Sequence, residues 1–147
     1  MARVCAEDAL THAQLRGTFG KKLIENQVIR SKLSLFGRNI NSAHAWMEQL
    51  VYLIEQGKIT GNDPHIAGPI AGLKVLAAQT LEKVNREAQQ VLGGLGYSKE
   101  GRGKRIEQIS RDVRVMTVGG GSEEILVDLA LNQELRAIQQ LQPKSRL

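Results

Sequence analysis

The stretch that decides the fold is ENQVIRSKLSLFGRNINSAHAWMEQLVYLIEQ, Glu25 to Gln56. Its apolar positions are Ile29, Leu33, Phe36, Ile40, Ala43, Met47, Leu50 and Ile54, separated by 4, 3, 4, 3, 4, 3 and 4 residues. A strand would alternate every second residue; this alternation belongs to a helix that presents one seam to its neighbours. Gly37 lies inside the helix at a cost of ~1 kcal/mol relative to Ala, so a close helix crossing is expected there.

Working outward, Ala2 to Leu15 carries Val4, Ala9 and His12 or Ala13 at helical steps, and Gly17 stops that run. Gly57 to Gly68 contains Gly-Asn-Asp-Pro and reads as a surface loop. The next helix is predicted from Pro69 to Leu92, with the stripe Ile70, Leu73, Ala77, Leu81, Val84, Ala88 and Val91 and with Pro69 in its first turn. Gly93-Gly94-Leu95-Gly96-Tyr97 ends it abruptly, and Lys99 to Lys104 reads as polar loop. A short helix is expected from Arg105 to Arg111, and a last one from Ser122 to Leu141. The last has the stripe Ile125, Leu129, Leu131 or Asn132, Leu135 and Ile138, Ser122 as N-cap, and Glu123 and Glu124 in its first turn. No segment reads as a strand, and no internal repeat or linker is visible. The expected fold is all-α, an up-and-down bundle of about four helices over residues 1–142, followed by a tail, 143–147.

Composition agrees with one globular domain. The chain has 147 residues, 41% hydrophobic and 24% charged, enough to bury a core and inconsistent with wholesale disorder. One cysteine excludes an internal disulfide framework and a multi-cysteine zinc module. No run approaches the ~18 consecutive apolar residues of a membrane span, and the acidic N-terminal residues do not suit a signal peptide. The expectation is a soluble intracellular domain without a membrane role. The net charge of +5 does not point to nucleic acid, because Arg102, Lys104 and Arg105 form a short cluster without interleaved aromatic residues.

Taken residue by residue, the chain shows no reaction centre. Gly93-Gly94-x-Gly96 is either a phosphate-approaching loop or a tight helix stop, and it follows a helix where a dinucleotide fold needs a strand. Gly119 to Ser122 precedes a helix N-terminus, which is either an anion site or a turn that needs positive φ. His12, His44 and His65 have no metal-ligand spacing with Cys5 or with carboxylates.

Read together, four segments resemble the C-terminal helical domain of the acyl-CoA dehydrogenase family. Arg16-Gly17-Thr18-Phe19-Gly20-Lys21-Lys22-Leu23-Ile24-Glu25-Asn26-Gln27 is similar to that family's R-x-T-F-G-K-x-L-x-E-x-Q. Ala88 to Tyr97 is similar to its A-x-Q-x-x-G-G-x-G-Y. Arg105-Ile106 with Arg111-Asp112-Val113-Arg114 is the third segment, and Gly120-Gly121-Ser122-Glu123-Glu124-Ile125 the fourth. The resemblance implies dimer and tetramer contacts, with FAD held between subunits. It carries cofactor contact onto Arg16, Thr18 and Phe19, with Leu23 close by, onto Gln90 and Gly94 across the interface, and onto Ser122 and Glu124 at the head of the last helix. The chemistry is compatible: a guanidinium forks onto phosphate and glycine lets backbone approach.

Two departures accompany the matches. The family removes an α-proton with a carboxylate, and the position at which many members carry it falls on Gly120 here. Other members carry the base about 26 residues before the motif arginine, a position before Met1 by alignment. Glu25, Glu123 and Glu124 are candidates by chemistry only, so no catalytic residue is assigned. The family's N-terminal helical and middle β-domains, which wall the acyl-CoA pocket, also have no counterpart in these residues. The resemblance therefore implies a dehydrogenase domain that is incomplete alone, joined as a homodimer or homotetramer or by a chain carrying the other domains. Its alternatives are a stand-alone oligomerisation module and a bundle repurposed for cofactor-free chemistry. Finally, Ser145-Arg146-Leu147 resembles an S-K-L type peroxisomal address, which suits acyl-CoA oxidation.

Overall fold

The computed structural model describes residues 1–57 and 63–141. These form five helices: α1 (Ala2–Leu15), α2 (Gln27–Glu55), α3 (Pro64–Leu92), α4 (Lys104–Val118) and α5 (Glu123–Leu141). A hairpin of two-residue strands, β1 (Gly17–Thr18) and β2 (Lys21–Lys22), follows α1, where no strand is visible in the sequence pattern.

α3 is the axis of the bundle. α1 runs alongside it in the same direction, with Cys5 against Asn85. α2 runs the opposite way, pairing Lys32 with Glu87 and Trp46 with Gly72. The fourth position of the bundle is shared. α4 descends along α3 from Ile106 at Asn85 to Thr117, which meets Glu82 and the reaching Lys74 side chain. α5 continues in the same direction along the N-terminal half, from Glu123 at Gln79 to Ala130 at Gly68. The up-and-down architecture therefore holds, with its last strut built from two helices in series.

Among the described residues, two clusters form the interior. The larger joins Cys5, Ala9, Phe36, Val84, Ala88 and Ile106 with their neighbours on α1 to α4. The smaller holds only Ala71, Val75 and Leu126, with Ala130 packed against it. The buried Asn85 amide ties three helices together, donating to the Ile106 carbonyl at 2.9 Å and to Cys5 Sγ at 3.5 Å. Burial pushes the Cys5 thiol pKa up, although the Asn85 contact opposes it.

Four expectations are corrected. α3 starts at Pro64, not Pro69: the Asp63 carboxylate accepts from the His65 amide at 2.9 Å, and Pro64 occupies the first turn, leaving Pro69 inside the helix. α4 is longer than Arg105 to Arg111, beginning at Lys104 and reaching Val118. Gly37 makes no close crossing, since a Cβ there would meet nothing within 4 Å. The close approaches occur instead at Gly72, where a Cβ would stand 3.1 Å from the Trp46 ring, and at Gly68, where it would stand 3.0 Å from the Ala130 carbonyl. On α5 the predicted stripe is largely outside: Ile125 is 66% exposed and Ile138 53%, while Leu126 and Ala137 are buried.

Candidate functional site

The first motif folds into the hairpin after α1. Its turn, Phe19-Gly20, has φ of 49° and 79°. Positive φ at both central residues is the two-residue hairpin geometry that matches strand twist. Gly20 adopts it freely, whereas a phenylalanine in the left-handed region is strained. The Phe19 ring is fully exposed at the tip, so packing within this chain does not offset that strain. Below the tip, the Leu23 amide donates to the Arg16 carbonyl at 2.8 Å. The Lys22 amide donates to Glu25 Oε1 at 2.6 Å. Arg16 is exposed and Leu23 half-buried.

Two polar atoms here are buried without a partner among the described residues: Thr18 Oγ1 and His12 Nδ1. Burial holds the His12 pKa down, and Arg102 and Arg16 depress it further. Arg102 lies in the turn before α4, so the hairpin and that turn share one end of the bundle.

The second motif closes α3 at the same end. Gln89 Nε2 donates to the Gly96 carbonyl at 3.2 Å. Gly96 and Gly103 are required by close approach: a Cβ at Gly96 would stand 2.7 Å from the Gln89 carbonyl, and one at Gly103 1.6 Å from that of Leu95. Gln90 and Gly94 are exposed, and a Cβ on Gly94 would meet nothing within 4 Å.

The third motif is spent on the fold. Arg111 forks onto the buried Glu107, with Nε to Oε1 at 2.9 Å and Nη2 to Oε2 at 3.2 Å. Arg105 pairs with Asp8 across to α1. Arg114 pairs with Glu82 at 3.2 Å.

In the fourth motif, Gly120 and Gly121 have φ of 77° and 109°, and the Ser122 carbonyl accepts the Leu126 amide at 3.0 Å to open α5. The Glu124 carboxyl is held below the usual range by its own backbone amide and by the Ser122 side chain. Glu123 accepts from Gln79, and Glu25 accepts from the Lys22 amide at 2.6 Å, so both carboxylates are engaged within the fold.

The structure therefore gathers Arg16, Thr18, Phe19 and Leu23 at the bundle end that also carries Gln90 and Gly94. Ser122 and Glu124 are elsewhere. Their helix begins beside Gln79, about 22 Å along α3 from Gly94 at 1.5 Å per residue. The sequence pattern does not reveal Lys74, whose Nζ donates to the Thr117 carbonyl at 2.6 Å and the Gly121 carbonyl at 2.7 Å. Among the described residues no group of three or more His, Cys, Asp or Glu side chains is placed to hold a metal, and no helix is long and apolar enough to cross a membrane.

The fold is thus a helical bundle with a glycine-closed α3, a motif hairpin after α1 and a glycine turn before its last helix. The family model described as "Acyl-CoA dehydrogenase, C-terminal domain" matches residues 1–134, and the chain belongs to that family. It is 45% identical over 136 residues to acyl-CoA dehydrogenase AFT10-1 of Alternaria alternata, covering 91% of this chain and 32% of that protein. It is 33% identical over 132 residues to acyl-CoA dehydrogenase apdG of Emericella nidulans, covering 90% and 30%. Among solved structures, butyryl-CoA dehydrogenase from Megasphaera elsdenii superposes with a TM-score of 0.81 at 26% identity, covering 92% of this chain and 33% of that one. The chain thus spans about a third of the length of the curated relatives it matches.

Proposed function

We propose that the chain is the helical domain of an FAD-dependent acyl-CoA oxidoreductase that oxidises a CH–CH bond, acting within an assembly that provides the remaining two-thirds of the enzyme. The observation that carries this reading is the hairpin: a fully exposed Phe19 in strained backbone, beside a buried Thr18 hydroxyl that lacks a partner. Strain of this kind persists where the fold over-determines it, and it clusters at ligand clamps. The donor set fits the cofactor. Arg16 would fork onto its pyrophosphate, the orphaned Thr18 hydroxyl would donate to one of its oxygens, and Phe19 would lay a flat apolar surface against the ring. Gln90 and Gly94 flank the same end, Gly94 leaving room for close approach. Bound FAD supplies a hydride acceptor.

Ser122 and Glu124 stand apart from the Phe19 end of the bundle, and a site completed between subunits would bring both groups to one cofactor. A homodimer or homotetramer is the assembly proposed. Gly120 leaves this chain without a carboxylate at the family position, so the proton-abstracting base is assigned to the remainder of the assembly. Relatives bear both dehydrogenase and reductase names, among them the 3-(aryl)acrylate reductase of Clostridium sporogenes, 26% identical over 125 residues. The reaction direction is proposed as oxidation on the nearer relatives.

The test supplies the missing two-thirds as a second chain. Co-purification of flavin at fixed stoichiometry and dye-coupled acyl-CoA oxidation are expected, with Arg16→Ala weakening flavin retention at least tenfold. An assembled complex without flavin would overturn the proposal. Native mass spectrometry of the 147-residue chain with FAD addresses the second reading, a stand-alone assembly module, which the exposed apolar residues of α5 favour.

The Ser145-Arg146-Leu147 address lies outside the described residues and is proposed on its terminal position alone. Deleting Leu147 should disperse a tagged protein through the cytosol; unchanged puncta would refute it.

A further inference from the structure

We propose that Lys74 is a positioning residue whose ammonium clamps the glycine turn between α4 and α5 and so sets where Ser122 and Glu124 stand. The proposal rests on the functional reading above only for what those two residues then contact.

Lys74 is half-buried on α3, and its Nζ is shared between the Thr117 and Gly121 carbonyls at 2.6 and 2.7 Å. Thr117 lies in the last turn of α4. There a helix leaves carbonyls without partners and gathers partial negative charge, so the half-buried ammonium satisfies both needs at once. The second carbonyl belongs to the turn itself. One ammonium therefore joins the end of one helix to the residue before Ser122.

The turn has few other means of holding its shape. Gly119, Gly120 and Gly121 carry no side chains, and Gly120 and Gly121 are in the left-handed region that glycine enters freely from a highly mobile unfolded chain. The Gly119 amide closes α4 on the Val115 carbonyl at 2.8 Å. Beyond that, order is imposed from α3. Gln79 reaches Glu123, and Glu82 accepts from Thr117 Oγ1 at 3.2 Å. Lys74 alone of these holds the turn's backbone directly. A Cβ at Gly121 would stand 3.0 Å from Leu126 Cδ2, so the clamped turn rests on the first turn of α5 and passes its position on.

Lys74→Met separates the charge from the packing, because it keeps an apolar stem of similar length and deletes only the ammonium. Hydrogen exchange followed by mass spectrometry reads the result in the absence of flavin. Amides of residues 117–126 should exchange at least tenfold faster, while those of the Gly17–Lys22 hairpin and α2 keep their rates. Lys74→Arg should recover part of the protection. If Lys74→Met does not fold, Lys74→Gln should show the same local pattern at smaller amplitude. Unchanged exchange in 117–126, or protection lost evenly along the chain, would overturn the clamp. The cofactor reading can fail without affecting this experiment. In the flavin-loaded two-chain assembly, Lys74→Met that retains flavin as the parent does would break the link to Ser122 and Glu124.

Discussion

Replacing Phe19 by glycine should stabilise this bundle while removing part of its proposed site. An L-residue in the left-handed region costs about 1–2 kcal/mol, and Phe19 sits there at φ 49°. Glycine removes that cost but adds about 0.5–1 kcal/mol of unfolded-chain entropy to be lost on folding. Since the ring is fully exposed, no burial is lost with it. The balance is about 0.5–1 kcal/mol in favour of F19G. For a domain near 150 residues this is a rise in Tm of about 1–4 °C. F19A is the control: alanine suffers the same backbone strain, so its melting temperature should match the parent. Circular dichroism melts of the three proteins at low concentration make the comparison, and flavin retention in the full assembly should fall for both variants. An F19G protein that melts about 2 °C or more below the parent would refute the argument, because the ring would then be packing against something in the resting molecule.

Three further outcomes follow from the same geometry. Ile106 is completely buried in the larger cluster, so Ile106→Ala should cost about 2–5 kcal/mol in urea unfolding; a loss below ~1 kcal/mol would mean that the α3–α4 contact is not core. The depressed His12 pKa means that the unfolded chain binds the proton first as pH falls. Stability should therefore be full above the ordinary histidine range and should decline as pH drops through and below 6.5. His12→Gln should flatten that part of the curve, and a slope identical in both proteins would assign the loss to other groups. Leu131→Lys with Leu135→Lys changes two exposed positions on α5. It should leave monomer stability nearly unchanged but reduce the oligomer seen by sedimentation, whereas an unaltered assembly would remove α5 from the interface.

The sequence speaks clearly where local chemistry and tertiary packing agree. α1 and α2 appear within a residue or two of their expected bounds; the steps from Ile29 to Ala43 turn inward with Leu50, whereas Met47 and Ile54 are exposed. The start of α3 is obscured by two prolines that each suit a first turn. The Asp63 cap decides between them, and Pro69 is tolerated inside the helix. On α5 the large side chains draw the eye, yet α3 and α5 approach at Gly68 and Ala130, where only small residues fit. The inward line is consequently Leu126, Ala130, Gln133 and Ala137, again in helical steps but, apart from Leu126, built from small or polar residues with little hydrophobic signal; of these Leu126 and Ala137 are buried. The candidate site is legible as motifs and not as a place. The hairpin tip and the α3 stop can be brought to one end only by the parallel course of α1 and α3, which no local pattern encodes. Lys74 is hidden for the same reason, since its acceptors are backbone carbonyls 43 and 47 residues away.

The division of the interior into two clusters bears on how the molecule opens. α1 to α4 share the larger cluster, whereas α5 packs extensively but almost wholly on α3, through Leu126 and Ala130 beside Ala71 and Val75 and through Glu123 at Gln79. A helix that packs on a single neighbour opens at a lower free energy than helices that share a common core. α5 is therefore the element that peels away while the rest of the bundle stays intact, and a partner seated on its outer face would act as a latch, raising the protection of that one helix by its own binding free energy.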